Sequence, residues 1–506
     1  MTLDRAACYR ALRTHDARFD GRLFIGVRTT GVYCRPICPA RCPKLENIEF
    51  YASAAAAQAA GFRPCLRCRP ESSPDLASWR EISNTVSRAL ALIADGGLDG
   101  ADADVEGLAL RLGIGERQLR RLFKKHLGAS PIAVAQTRRV LFAKQLIHET
   151  RMSMVDVALA AGFGSLRRFN DTFRHLYARP PSLLRRQSSV VTTGASQCAG
   201  ITLKLSYAPP YDWAAMVNFL AARAIAGMEV VEPDRYRRTI EVDGRHGTID
   251  IRPMNGRHAL SATIRFPSVR ALPVIIARIR RVFDLAADAG SIAAQLAEDP
   301  GLAPLVAARP GLRVPGAWDG FELAVRAVLG QQISVTAARR LAGKLVAAHG
   351  EPLTPTADGD VPGLTAVFPG PERLAAADLA SLGMPRARAR SLSALAASAA
   401  GDARLFDPDQ DLDTGVARLR VLPGIGEWTA QYIAMRALRE PDAFPAADIG
   451  LMRAMTAVDG TRPTPAALLT RAEAWRPWRA YAAQHLWTAG AAGALPAARC
   501  RQEAVA

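Results

Sequence analysis

No lysine follows Lys344 in this 506-residue chain, so no side-chain amine of that last third is there to form an imine with a substrate. No apolar run reaches membrane-spanning length, and the opening MTLDRAACYR lacks the order of a signal peptide. A cytoplasmic protein that meets no membrane is therefore expected. Acidic residues are under-represented, 47 Asp+Glu against 65 Lys+Arg, for a formal net charge of +18. The deficit is local. Residues 1–186 hold 30 basic and 17 acidic side chains, a net of +13, whereas the remaining 320 hold 35 and 30, a net of +5. A polyanion is the partner such a distribution suits. Cysteine is sparse, eight in all, and four crowd into two pairs, which in a cytosolic chain points to a metal or a reactive thiolate rather than disulfides. Hydrophobic content of 49% and charged content of 22% are ordinary for a globular protein. The length implies about three to four domains.

Residues 1–75 carry Cys34 and Cys38, with three residues between them, and Cys65 and Cys68, with two. Four soft sulfurs at such spacing complete a tetrahedral zinc site, with Zn–S near ~2.3 Å. On spacing alone, a structural ribbon and a reactive thiolate centre are both open. Cys42 offers a second way of making the first pair with Cys38, and Cys8, Cys198 and Cys500 read as core or surface thiols. The stretches FIGVRTTGVYCRPIC (24–38), ENIEFY (46–51) and AGFRPCLRC (60–68) resemble the N-terminal domain of Ada-type methylphosphotriester repair proteins. The resemblance implies one Zn2+ on Cys34, Cys38, Cys65 and Cys68, with Cys34 as the methyl acceptor. Zinc keeps a thiol deprotonated near neutral pH, and the methyl carbon of a phosphotriester is open to in-line attack with a phosphodiester leaving. Such a transfer is stoichiometric. It also makes the centre less negative, so repair would act as a binding switch. The Pro-Cys-His-Arg acceptor for O6-alkylguanine, found in some Ada-type proteins, is absent.

Residues 76–187 contain two similar units, VEGLALRLGIGERQLRRLF (105–123) and VDVALAAGFGSLRRFNDTF (155–173). Each reads as a short apolar helix, a glycine turn and a helix with a polar, basic face, which is helix-turn-helix logic. Joined by a helix over 129–147, and with ARPP at 178–181, they resemble the AraC-type DNA-binding domain. The resemblance implies DNA contacts from Arg117, Gln118, Arg120 and Arg121 in the first recognition helix and from Ser165, Leu166, Arg167 and Arg168 in the second. For the arginines, phosphate contact outranks base readout. An activator of this kind implies RNA polymerase as a further partner.

Residues 188–202, rich in Ser, Thr and Gly, read as a linker. Residues 203–281 mix strand-like stretches (239–242 and 248–251) with a helix over 213–226. From 282 to 495 the chain reads as helical. There, LPGIG (422–426) precedes a helix-compatible run over 427–438, and Asp448 stands behind an apolar lead-in, FPAA (444–447). Two glycines around an apolar residue allow a tight turn whose N–H groups grip a phosphate; read alone, the same turn is equally a helix cap. YAPPYDW (207–213), FLAARA (219–224), RPGLRVPG (309–316), AVLGQQISV (327–335), AWRPWRAYA (474–482) and HLW (485–487) extend the match. Together these stretches resemble the helix-hairpin-helix DNA glycosylases, most closely the AlkA-type 3-methyladenine glycosylase II branch.

That resemblance implies a packing platform over 203–281 and a glycosylase domain over 282–495. Leu422, Gly424 and Gly426 would hold a backbone phosphate. Gln332, at a position more often apolar in this branch, would fill the gap left by the flipped nucleotide. Trp428, Tyr432 and Trp487 would line an aromatic pocket that stacks a cationic methylated purine, although Trp428 and Tyr432 at i, i+4 also suit a plain core. Asp448 would act as a carboxylate beside an oxocarbenium-like sugar, and His485 would be structural. Glycosylases that also cut the strand carry lysine where Trp428 stands, so a monofunctional enzyme leaving an abasic site, with no cofactor for this step, is implied.

The expected fold class is multidomain and mainly α: a small zinc α+β domain, an AraC-type double helix-turn-helix, an α+β platform and an all-α helix-hairpin-helix domain. The expected function is DNA alkylation repair combined with regulation, by a nucleoid-associated monomer acting on double-stranded DNA at alkylated and promoter sites. The alternative is a methylation-sensing activator whose glycosylase half is weak or inactive.

Overall fold

The computed structural model describes residues 4–74, 84–99, 104–185, 200–353, 361–407, 411–456 and 461–491. Cys198, Cys500 and residues 188–199 of the expected linker lie outside them. Among the described residues no helix is long and apolar enough to cross a membrane.

The first unit is a four-stranded sheet in the order β3-β1-β2-β4, with β1 at Phe24–Val27, β2 at Val32–Cys34, β3 at Ile48–Tyr51 and β4 at Arg63–Pro64. β1 pairs antiparallel with β2 and β3, and β2 runs parallel to β4. This pairing has a direct consequence for the cysteines. Cys34 ends β2, and Cys65 follows β4 with its N–H bonded to the Tyr33 carbonyl at 3.0 Å, so the two cysteine pairs are brought together by one strand pairing.

The double helix-turn-helix forms as the repeat suggests. The first unit is Val105–Arg111 and Glu116–Leu127, the second Met154–Ala160 and Leu166–Tyr177. The joining helix spans Pro131–Glu149, two residues later at each end than expected, because Ser130 caps it and Pro131 occupies its first turn. Phe169, Phe173 and Tyr177 bury one face of the last helix and leave its other face to solvent.

The third unit is a five-stranded antiparallel sheet in the order β5-β9-β8-β7-β6: β5 Ile201–Ser206, β6 Glu229–Glu232, β7 Arg235–Val242, β8 Arg245–Pro253 and β9 Ala259–Arg265. Two boundaries move. Ile201 and Thr202, assigned to the linker, pair with Ile264 and Thr263 in β5. The division at residue 281 cuts the helix Leu272–Val282, whose apolar face packs on the sheet, and Trp318 returns to that same core. The helix expected to run to 226 ends at Arg223.

The remaining chain is a helical body around Leu329, Leu395, Ile433, Trp475 and Leu486. It is not purely helical, since Glu351–Pro352 pairs with Ala366–Val367. The units are packed together. Residues of the joining helix (Val140, Ala143, Leu146) share a core with Leu203, Leu205 and Ile275 of the platform. Gln145 Nε2 donates to the Lys204 carbonyl at 2.8 Å, and the Lys204 N–H donates to Glu149 at 3.0 Å. Burial of apolar surface between units, closed by paired polar groups at its edge, makes the third unit a continuation of the second.

Candidate functional site

The sulfurs of Cys34, Cys38, Cys65 and Cys68 lie within 4.8 Å of one another, and all four residues are buried. Cys42 stays apart. It packs against the neighbouring core that includes Ile25 and Ile48 and is not among the four clustered sulfurs, so the alternative Cys38–Cys42 pair is not formed. Backbone N–H groups support the sulfurs: Arg35 donates to Cys68 Sγ at 3.3 Å and Arg67 to Cys65 Sγ at 3.4 Å. Backbone donors aimed at sulfur favour its deprotonated form. The crowding of four sulfurs splits their titration: interaction with Cys34 lowers Cys38, while interaction with Cys38, Cys65 and Cys68, and then burial, raises Cys34. Four convergent sulfurs at this spacing fit a Zn2+ ion. Around them Arg35 bonds Asp20 (2.7 Å), the Cys68 carbonyl (3.1 Å) and Ser72 (2.7 Å).

This centre is tied to the helix-turn-helix. Lys144 of the joining helix donates to the Cys65 carbonyl at 2.9 Å and to Glu71 at 2.8 Å. Arg69 reaches Glu149 at 3.3 Å. In the two helix-turn-helix units, Arg117, Gln118, Arg120, Arg121, Ser165, Leu166, Arg167 and Arg168 are all exposed. Ser165 has a second task, capping its helix by accepting the Arg168 N–H at 3.1 Å. Arg120 bonds Glu116 at 2.7 Å and Arg167 lies 3.8 Å from Asp171, surface pairs too weak to withhold either guanidinium from a phosphate.

In the helical body a cavity of about 750 Å³ is lined by Trp428, Tyr432, Trp487 and Asp448. Trp428 and Tyr432, one turn apart on the helix Glu427–Arg436, stack at 5.3 Å with an 11° interplanar angle, and Trp487 meets Tyr432 edge-on at 6.5 Å. The indoles do more than offer their faces. Trp428 Nε1 donates to Asp448 Oδ2 and Trp487 Nε1 to Oδ1, both at 2.8 Å. Asp448 Oδ1 also accepts the Leu451 N–H at 2.9 Å, so the carboxylate caps the helix Ile449–Ala454. A Cβ on Gly450 would stand 2.9 Å from Oδ1 and 3.3 Å from the Trp487 ring; only glycine lets the three groups close up.

Sequence reasoning missed most of the cavity lining, and three of those residues stand close to the aromatics. Phe219 and Arg223 come from the platform helix Trp213–Arg223, which corrects the expectation that the platform has packing as its sole part. Arg436 lies beneath the aromatics, its guanidinium carbon 4.4 Å from the Phe219 ring and 4.9 Å from that of Tyr432. Burial lowers Arg436 to about 10, with Tyr432 opposing. Burial raises the Tyr432 phenol, but Arg436 and Arg223 beside it prevail and hold it below its usual value. The FLAARA stretch was the available signal. Nothing in it says that one of its faces turns into a cavity formed by residues two hundred positions on.

The hairpin at Leu422–Gly426 leads directly into the helix that carries Trp428 and Tyr432. Gly424 takes a left-handed φ of +82°, and Gly426 caps the pocket helix with no side-chain partner, leaving first-turn N–H groups available to an anion. Leu422 contributes its carbonyl to the turn, accepting from Ile425 at 3.1 Å. Gln332 is exposed with φ +59°, between the cavity-lining Gly330 and Ile333. His485 is buried and its pKa is lowered by that burial to about 4; it is absent from the cavity lining.

Four family models match the chain: the metal binding domain of Ada over residues 7–71, a helix-turn-helix domain over 108–187, the AlkA N-terminal domain over 202–319 and the HhH-GPD superfamily base excision DNA repair protein over 325–480. The chain is 43% identical, over 96% of its length and 96% of the relative's, to a probable bifunctional transcriptional activator/DNA repair enzyme AlkA of Mycobacterium tuberculosis (strain H37Rv). It is 37% identical to DNA-3-methyladenine glycosylase 2 of Escherichia coli (strain K12), over 56% of this chain and 95% of that one. The solved 3-methyladenine DNA-glycosylase from Archaeoglobus fulgidus superposes with a TM-score of 0.51 at 22% identity, covering 58% of this chain and 99% of that chain, a likeness of fold.

Proposed function

Because the chain belongs to the family of bifunctional AlkA-type transcriptional activators and DNA repair enzymes, we propose that each of its two halves acts on alkylated DNA in its own way. The C-terminal half is a DNA glycosylase of the AlkA type. Its substrate is an alkylated base extruded from the duplex into the cavity beside Asp448. The observation that carries this is the pair of indole N–H groups, 2.8 Å from either oxygen of one carboxylate, at the wall of an aromatic cavity.

The chemistry follows from that arrangement. An extruded base stacks on Trp428 and Tyr432, and a methylated, cationic ring is favoured on such faces. As the bond from sugar to base breaks, its electrons leave with the base and positive charge grows on the sugar. Asp448, fixed in orientation by three donors, stabilises that charge. Water adds to the sugar carbon and loses its proton, leaving an abasic site in an unbroken strand. No lysine after Lys344 offers the imine route that strand cleavage uses.

The N-terminal half takes one methyl group from a DNA methylphosphotriester onto Cys34. The Cys34 sulfur forms a bond to the methyl carbon, the carbon–oxygen bond breaks, and its electrons stay on the phosphodiester. A bound Zn2+ on Cys34, Cys38, Cys65 and Cys68 would supply the deprotonated sulfur. The transfer removes negative charge from a buried centre that contacts the joining helix through Lys144, and it favours promoter binding by the two recognition helices and recruitment of RNA polymerase.

The test is base release from dimethyl-sulfate-treated duplex DNA by the wild-type chain and by Asp448→Asn. Release of 3-methyladenine that disappears in the variant is expected. A folded, DNA-binding wild type that releases no base would overturn the enzyme reading of this half and leave the zinc-thiolate activator.

A further inference from the structure

The turn that carries Gln332 is held by a residue that the mechanism above does not use. The helix Gly320–Leu329 ends, Gly330 caps it, and Ser334 already caps the next helix, Val335–His349. Three residues make the connection, and Gln332 at its apex has φ +59°. For a residue with a side chain, this left-handed backbone is strained and persists only where its surroundings determine it. Gln331 provides that determination. Its side-chain Nε2 donates to the Gly424 carbonyl at 2.8 Å and to Thr429 Oγ1 at 3.0 Å, and its own carbonyl accepts from Arg388. Gly424 is equally constrained, since a Cβ there would collide with Ser391 on the helix Arg386–Gly401 that carries Arg388.

One amide therefore joins three parts: the gap-filling turn, the phosphate-holding hairpin and, through Thr429, the helix bearing Trp428. Polar contacts of this kind, made across elements distant in sequence, couple the position of each part to that of the others. We propose that Gln331 is a positioning residue for base extrusion: it sets the Gln332 apex at a fixed height above the hairpin, so that gripping the lesion strand and filling the vacated stack are one rigid event. The inference rests on the reading of Gln332 as the gap filler and of the hairpin as the phosphate grip. It adds that extrusion, rather than chemistry in the pocket, is the step Gln331 serves.

The experiment uses the full chain and two variants of near-equal volume. Gln331→Met removes the donor, and Gln331→Glu sets a carboxylate against the Gly424 carbonyl. Single-turnover release is measured for 7-methylguanine in a paired duplex and for the same strand with an abasic analogue opposite the lesion, where no base pair has to be broken. The expected result is a loss of about tenfold or more in the paired duplex and of less than about twofold opposite the abasic analogue, because the cost of unpairing is what the context removes. Equal losses in both contexts, or no loss in either, overturn the proposal. Thermal melting reports whether the variants are folded; if they are not, Arg388→Met, which removes the other arm, is held to the same comparison. Should the wild type release no base, the glycosylase reading has failed. The positioning role is then read from a 2-aminopurine placed beside a stable abasic analogue: brightening on binding that is weaker in the variants supports it, and equal brightening overturns it.

Discussion

Lys144 and Glu71 meet at 2.8 Å with neither side chain exposed to solvent, and they belong to different units: Glu71 follows the second cysteine pair, whereas Lys144 lies on the helix joining the two helix-turn-helix units. Burial lowers the Lys144 ammonium, and Glu71 opposes the shift. An ion pair in such a place is weak evidence of stability but strong evidence of registry, because either partner alone would be a buried charge. Lys144→Met is expected to destabilise the full chain by about 3 kcal/mol, and Lys144→Met with Glu71→Met to recover most of that loss. Thermal melting of the three variants checks this. A double variant no better than the single one would show that the charge is not what holds the two units in register.

The indole donors on Asp448 can be removed while the rings remain. Trp428→Phe and Trp487→Phe each keep an aromatic face and delete one 2.8 Å bond to the carboxylate. Each is expected to slow single-turnover base release by about tenfold, the scale of one hydrogen bond to a charged group. Unchanged rates would mean that stacking alone accounts for these residues.

At the sulfur cluster the variants separate by position. Cys34→Ser is expected to take up no methyl group from methylphosphotriester DNA, read by intact mass, while base release stays at the wild-type rate. Cys42→Ser is expected to keep its zinc, since Cys42 lies outside the cluster, whereas Cys65→Ser is expected to lose most of it. Metal content by elemental analysis decides.

Arg121 and Arg168 lie exposed on the two recognition helices. If they contact phosphates, Arg121→Ala and Arg168→Ala each reduce the slope of log affinity against log salt by about one, with little change in sequence preference. Titrations at several salt concentrations measure it, and a change of preferred sequence would instead assign base readout.

His485 sets a pH window. Its folded pKa is lowered by burial to about 4, against roughly 6.5 in an unfolded chain. Between those values the unfolded chain binds a proton that the folded one refuses. Stability is therefore highest above the upper value and falls as the pH drops toward the lower, by about 3 kcal/mol in all. Denaturant titrations at about pH 7.5 and about pH 4.5 should show a smaller fall for His485→Gln than for wild type; parallel falls would exclude His485 as a source of the acid sensitivity.

The units announce themselves in the sequence because their signals are local. Two cysteine pairs, two glycine-centred turns between apolar and basic helices, and LPGIG before an apolar run each need only a few neighbouring residues to be legible. The helix ends that moved, such as the joining helix starting at Pro131, moved because capping by Ser130 and a proline in the first turn outweigh periodicity there. The platform boundary was misplaced for a different reason. Trp318 returns to a sheet it follows by fifty residues, and no pattern along the chain records such a return.

Residue type and spacing thus mark the two cysteine pairs, the two helix-turn-helix units and the glycine turn, since bond chemistry and backbone conformation act over short stretches, while the roles expected of the residues there come from the family resemblance. What Asp448 touches is of another order. Its indole partners stand 20 and 39 residues away, the cavity wall includes Phe219 and Arg223 from another unit, and Gln331 finds the Gly424 carbonyl 93 residues on. Those contacts arise where close packing brings surfaces together and each buried polar group takes whichever partner lies within reach, a choice made in three dimensions that leaves no period, spacing or composition to read beforehand.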